Sequence, residues 1–209
     1  MVEQPPHLFV HRNPKPSCSA AVLVIDAQID FLSPSAPYTC VDSGKVIENI
    51  AWVIDVARKA HLPVIFTREA HALNGLDYGV ELESGAPVHC VEGTPGIEIV
   101  PTLIPLPGEF VIDKRRYNAF LGTHLDLVLN LLGRPALYIT GFTTNVCVHY
   151  TTVEAFQRDY QVHVICECVS ATSAEKHLTG LRMLEYISER IVIHLEAFFS
   201  AIGAPSLPN

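Results

Sequence analysis

The chain has 209 residues, 49% hydrophobic and 17% charged, with a formal net charge of −8. That apolar content excludes a disordered chain, whose burial could not offset its ordering entropy, and the acidic balance disfavours a nucleic-acid partner. No apolar run approaches the roughly 20 residues of a membrane helix, and the opening MVEQPPHLFVHRNPKPSCSA has no signal-type apolar stretch, so the reading is a soluble cytoplasmic protein without a membrane partner.

A single domain is expected over 1–209, with its core at about 18–203. Ala20-Ala-Val-Leu-Val-Ile25 is a continuous apolar run and predicts a strand buried on both faces, ending at Asp26. In 45–60, Val46, Ile50, Val53, Ile54 and Ala57 fall at helical spacing behind Asp42 or Ser43 as N-cap. Pro63–Thr67 predicts the next strand, ending at Arg68. The stretch 69–109 is rich in Gly and Pro, and a loop region this long inside a compact domain points to function.

Alternation then resumes. A strand at Glu109–Asp113 leads to Lys114, and a helical stripe follows at Leu121, Leu125, Val128, Leu129 and Leu132, closed by Gly133. Ala136–Thr140 and Gln161–Cys166 predict strands, with a helix between them at Val146, Tyr150, Val153 and Phe156. Leu178, Leu181, Leu184 and Ile187 mark a further helix before a last strand at Ile191–His194. Strand followed by helix, repeated, calls for parallel strands with helices on both faces: a doubly wound α/β sheet in three layers, Rossmann-like in plan.

The six cysteines are Cys18, Cys40, Cys90, Cys147, Cys166 and Cys168. A chain of this size with no export signal does not need disulfides. Cys166-Glu-Cys168 is spaced too tightly for a zinc knuckle and reads as strand packing.

Ligands of doubly wound sheets bind beyond the carboxyl ends of the strands. Asp26, Lys114 and Cys147 stand at or just past three such ends, so a carboxylate, an ammonium and a thiol can meet there. A helix N-terminus supplies free N–H groups that favour a thiolate and can hold an oxyanion. An Asp can take the thiol proton, and a Lys can stabilise the anion, which makes an activated nucleophile without histidine. Each residue alone has a plainer reading, as a turn residue, a solvated charge and a core thiol. A nucleotide site is a poor alternative, because Asp26-Ala-Gln stands where a Gly-x-Gly-x-x-Gly would be required.

Val24-Ile-Asp26-Ala-Gln28-Ile-Asp30-Phe31, Asp113-Lys114-Arg-Arg-Tyr-Asn-Ala-Phe120 and Gly141-Phe-Thr-Thr-Asn-Val-Cys-Val148 resemble, in order and spacing, three motifs of the isochorismatase-like cysteine hydrolases. The resemblance spans about 20–195. It implies a six-stranded, mainly parallel sheet, with Asp26, Lys114 and Cys147 as the catalytic triad. It also implies a non-proline cis peptide at Phe142–Thr143 and an oxyanion hole made by the amides of Thr143 and Cys147.

Within that superfamily, nicotinamidases carry an Asp-Trp-His segment and further His ligands for a metal. Here Arg68-Glu69-Ala70-His71 stands in that place, with Asp77 and His89 downstream as the remaining possible ligands. This stretch and 91–101 look more like the branch that cleaves carbamoyl and ureido compounds without a metal, so no cofactor is expected, and His71 is expected to hydrogen-bond in the pocket. True isochorismatases do not use the cysteine, so Cys147 argues against their chemistry. The resemblance implies substrate contacts from Phe31. Gln28, Arg68, Tyr117, Asn118, Phe142 and Thr144 are further candidates, with loop contacts, an ion pair or helix capping as the plainer roles of several. The expected activity is cysteine-dependent hydrolysis of a small amide with release of ammonia, in a homodimer or homotetramer. A nicotinamidase-like deamidase and a binding protein without turnover remain alternatives. The apolar segment 195–202 is a candidate part of a subunit interface.

Overall fold

The computed structural model describes residues 19–133 and 135–204. Cys18 and the N-terminal stretch read for a signal lie outside the described residues. The chain runs through β1 (Ala20–Ile25), α1 (Ile29–Leu32), α2 (Ser43–Lys59), β2 (Val64–Glu69), β3 (Phe110–Lys114), α3 (Leu125–Leu131) and β4 (Ala136–Phe142). It continues through α4 (Cys147–Gln157), β5 (Val162–Ser170), α5 (Ala174–Ile187), β6 (Val192–Ile193) and α6 (Leu195–Ala201). The six strands pair in the order β3-β2-β1-β4-β5-β6, every pairing parallel. No helix among the described residues is long and apolar enough to cross a membrane.

The period-two geometry of β1 explains its unbroken apolar run. Val22 and Val24 face one layer, with Ile50, Val53 and Phe198, whereas Ala21, Leu23 and Ile25 face the other, with Leu125, Val128 and Leu184. Burying each such Val, Leu or Ile contributes about 1.5–3 kcal/mol. The chain leaves β1 for β2 and β3 on one side and crosses to β4 on the other. The break in strand order therefore falls between β1 and β4, where such sheets open a crevice.

Several elements differ from the sequence expectation. Leu121 is 59% exposed in a turn, and α3 begins only at Leu125. Asn118 Oδ1 accepts the Phe120 N–H at 2.9 Å and Thr123 Oγ1 accepts that of Leu125 at 3.1 Å, so local side-chain bonds compete with the first helical turn. β5 continues past Cys166 to Ser170 and takes in both Cys166 and Cys168. The 69–109 region holds three short 3₁₀ turns and two bridges, Gln28 to Ile99 and His71 to Val91. The segment 195–202 is not a free apolar face. α6 buries Leu195, Phe198 and Phe199 in the chain's own core, with Phe198 edge-on to Tyr138 at 4.8 Å.

Candidate active site

Four strand ends supply the polar centre. Asp26 follows β1 in a left-handed conformation (φ 48°), an uncommon backbone for a non-glycine residue. Glu69 closes β2 and Lys114 closes β3. β4 runs through Gly141 and Phe142 into a cis peptide at Phe142–Thr143, and a short turn then delivers Cys147 as the first residue of α4. Gly141 is required there: its φ is +111°, and a Cβ would fall onto the Ile25 carbonyl of the adjacent strand.

Lys114 Nζ lies 2.8 Å from Asp26 Oδ2, 3.5 Å from Glu69 Oε2 and 3.5 Å from Cys147 Sγ. Cys147 Sγ is 3.6 Å from Glu69 Oε2, and donor atoms of Asp26, Glu69 and Cys147 all lie within 4.8 Å of one another. Asp26 and Lys114 are fully buried and Cys147 is 4% exposed. Thr67 Oγ1 donates to Asp26 Oδ1 at 2.7 Å, while Asp26 Oδ2 has no donor aligned on it as a hydrogen bond.

Burial sets the protonation pattern. Desolvation lifts the Asp26 carboxyl above its ordinary range against the pull of Lys114. Desolvation pushes the Cys147 thiol well up, with Lys114 opposing, so the resting side chain is a thiol. Desolvation also works against ionised Glu69 and charged Lys114. Lys114 and the two histidines nevertheless hold Glu69 well below the usual carboxylate range, and Asp26, Cys147 and Glu69 hold Lys114 well above the usual amine. A buried base of raised pKa beside a buried thiol favours proton transfer during attack over a standing thiolate.

At the turn, the N–H groups of Val146 and Val148 donate to Thr143 O, and that of Thr144 donates to Ser170 O. Among the described residues, neither the Thr143 nor the Cys147 N–H is spent on a backbone carbonyl. Above Cys147 and Thr143 opens a cavity of about 110 Å³, walled by Phe31, Tyr38 and Tyr117 and reached by Glu69, Glu81 and His89.

The isochorismatase domain family matches residues 20–194 of this chain. The chain belongs to the isochorismatase family. Ureidoacrylate amidohydrolase RutB of Methylobacterium radiotolerans is 29% identical, covering 88% of this chain and 80% of the relative. A probable inactive nicotinamidase of Arabidopsis thaliana is 33% identical, covering 78% of this chain and 86% of the relative. The crystal structure of an isochorismatase-like hydrolase from Alkaliphilus metalliredigens superposes with a TM-score of 0.80 at 29% identity, covering 88% of this chain and 99% of that one.

In this isochorismatase-family chain, Asp26, Lys114 and Cys147 meet, and Thr143, Phe31 and Tyr117 line the cavity. Other expected substrate contacts lie elsewhere. Gln28 is fully buried: its amide nitrogen donates to Glu69 O and Ile97 O and its oxygen accepts the Glu69 N–H, each at 2.8 Å, which fixes the end of β2. Arg68 pairs with Asp113 at 2.8 Å and Glu98 at 3.6 Å, on the outside of the strand. Asn118 closes its own turn. Phe142 is wholly buried in the core, and Thr144 Oγ1 is bonded to His177 Nδ1 at 2.9 Å. His71 stacks on Tyr78 at 3.8 Å behind Glu69 and does not line the cavity.

Glu69, which the sequence suggests only as a metal ligand, also stands against the thiol, because it ends β2 as Asp26 follows the end of β1. Asn145 and Val146, within the nucleophile motif, also line the cavity, as do Tyr38, Glu81, Thr172 and Lys176, which carry no motif that marks them.

The possible metal ligands regroup. Glu69, His71, Glu81 and His89 bring their donor atoms within 4.8 Å of one another. Asp77 instead accepts the Ala72 N–H at 3.0 Å and pairs with Arg115 at 2.9 Å. His89 Nδ1 is 2.8 Å from Pro87 O, which can only accept, so Nδ1 carries a hydrogen. His89 Nε2 then faces the acceptor Glu69 Oε1 at 3.2 Å, and that approach calls for a cation, either a proton or a metal. Burial works against the imidazolium, but Glu69 outweighs it and raises the His89 pKa. Two imidazoles and two carboxylates, one ring tied to a backbone carbonyl, fit a divalent transition metal. Between β5 and the start of α6, Cys166, Glu167 and His194 also converge, and Glu167 accepts the Leu195 N–H there at 2.9 Å.

Proposed function

We propose that this protein is a cysteine amidohydrolase that cleaves the C–N bond of a small amide, carbamoyl or ureido compound and releases ammonia. The observation that carries the reading is a buried thiol under the cavity, within reach of a buried carboxylate that is ion-paired to an ammonium, beside two backbone N–H groups not spent on backbone carbonyls. The family and its amidohydrolase members support hydrolysis of this bond type.

In the proposed sequence, Asp26 Oδ2 takes the Cys147 proton as Sγ attacks the carbonyl carbon. The N–H groups of Thr143 and Cys147 hold the oxyanion. Protonated Asp26 returns the proton to the departing nitrogen, which leaves as ammonia, and a thioester or thiocarbamate remains on Sγ. A water molecule, deprotonated by the same carboxylate, hydrolyses that intermediate and restores the thiol. Lys114 stays charged throughout. It offsets the carboxylates in the resting state and the sulfur anion during attack.

Glu69, His71, Glu81 and His89 are the residues that would hold a divalent metal, which would supply a Lewis acid at the cavity wall. None of the steps above is assigned to it. This wall favours a nicotinamidase-like deamidase as the second reading. An ammonia-release screen over biuret, N-carbamoyl amino acids, ureidoacrylate, maleamate and nicotinamide separates the two. Release from at least one of these, lost in Cys147→Ala with folding intact, is expected. Turnover persisting in that variant would refute the covalent route.

A further inference from the structure

The cavity has a polarity that its triad does not explain. Strand order sets β2 and β5 on either side of the β1–β4 pair, so the segments that follow them approach Cys147 from opposite flanks. From the β2 flank come Glu69, Glu81 and His89. From the β5 flank comes Lys176, in the first turn of α5. Lys176 Nζ donates to Thr172 Oγ1 at 3.0 Å, which tethers the ammonium over the cavity and leaves two of its three N–H groups unused. Among the described residues no carboxylate lies within 4 Å of it to form an ion pair. Glu81, by contrast, is engaged by Tyr117 and His89. Lys176 is thus the unengaged charge of the cavity, in a chain of net charge −8.

The orientation of the reaction gives this charge a use. The departing nitrogen takes its proton from Asp26 and so faces the β1 and β2 side, which turns the acyl side of the substrate toward β5. We propose that Lys176 forms an anion subsite for the acyl side, so that the preferred substrates are small amides or ureas that carry a carboxylate there. The N-terminal end of α5 adds a favourable potential in the same place. Phe31 and Tyr38, whose rings stack at 6.1 Å, offer the planar carbonyl group an apolar wall. The proposal rests on the amidohydrolase reading above and narrows it.

The test uses the full chain and two matched pairs, N-carbamoyl-β-alanine with its methyl ester and succinamate with its methyl ester. In each pair the acid is expected to exceed its ester in kcat/KM. Lys176→Met should lose about tenfold on the acids, as for a charge-assisted hydrogen bond. That loss should be carried by KM, with the esters unchanged, and Lys176→Arg should keep most of the preference. Lys176 is exposed, so these variants are expected to fold as the parent does. Esters turned over as well as acids, or a Lys176→Met loss shared equally by both, would overturn the subsite while leaving a Cys147-dependent amidase in place. If none of the four compounds releases ammonia, calorimetric binding to Cys147→Ser decides: tighter binding of the acids supports the subsite, and no binding, or equal binding of acid and ester, overturns it. Absence of Cys147-dependent release from every amide in the broader screen is the separate result that sinks the amidohydrolase reading.

Discussion

Asp26 Oδ2 is the atom on which the proposed chemistry turns, since it is buried, faces Lys114 at 2.8 Å and has no aligned donor. Replacing it by an amide leaves size and packing nearly unchanged but removes the proton acceptor. Asp26→Asn should therefore lower turnover by on the order of 10²–10⁴, the usual contribution of a positioned general base. It should also slow alkylation of Cys147 by iodoacetamide, measured against the parent at the same pH. Unchanged alkylation and unchanged turnover together would reassign the base, with Glu69, 3.6 Å from the sulfur, next in line. Asp26, Lys114 and Cys147 were legible in the sequence because strand ends of a parallel sheet can bring them to one edge and because three motifs resembling the isochorismatase-like hydrolases single them out. Gln28 and Arg68 misled for a related reason. They sit at the same edge, yet one side chain is consumed by the backbone of Glu69 and the other by Asp113, and no spacing rule reveals which way a side chain turns.

At the scale of elements, the nucleophile turn is held between β4 and α5. Gly180 lies where α5 crosses that turn: a Cβ there would stand 2.9 Å from Asn145 Cα and 3.0 Å from Thr144 C, both backbone atoms. Neither side can yield by changing a rotamer. Gly180→Ala should therefore cost about 1–3 kcal/mol, as overpacking does, and lower kcat by shifting the residues before Cys147. Gly44, exposed in the first turn of α2 with nothing within 4 Å of its would-be Cβ, provides the contrast. Gly44→Ala should gain about 0.5–1 kcal/mol through helix propensity and leave kcat alone. Urea unfolding with parallel kinetics checks both, and a neutral Gly180→Ala would show that α5 does not set the turn. Strand and helix positions were readable from periodicity because β1 and α2 carry a full apolar pattern. The start of α3 was not, because Asn118 and Thr123 impose turn bonds that a pattern of leucines does not register. The cavity wall was also out of reach. Glu69 and His89 were candidates for one ligand set, but Glu81 meets them only through the fold of the 69–109 region, which has no regular period to read.

Across the whole molecule, the buried charges Asp26, Glu69 and Lys114 fasten the ends of β1, β2 and β3, a centre that is needed for the site and costly to the fold. Lys114→Met removes the cation that pairs with both carboxylates and leaves Asp26 buried with no counter-charge, so it should destabilise the protein by roughly 3–5 kcal/mol near neutral pH. The pH dependence identifies the cause. Unfolded, the two groups titrate near 3.8 and 4.5. In the folded variant, burial without a counter-charge raises Asp26 further above its value, so the fold binds a proton that the unfolded chain does not, while Glu69 keeps its bonds to His71 and His89. Such groups contribute stability that is complete below the unfolded pKa and is lost as pH rises through the folded one. Glu69 in the parent does the reverse: its carboxyl is held low, and its contribution is present above 4.5 and lost as pH falls. Above 4.5 only the Asp26 effect varies with pH, and it narrows the gap between parent and variant as pH falls. Urea midpoints at pH 5 and pH 8 should show a smaller deficit at pH 5, and an equal deficit at both would mean that Lys114 stabilises the sheet edge by packing alone, with no electrostatic role among these strands.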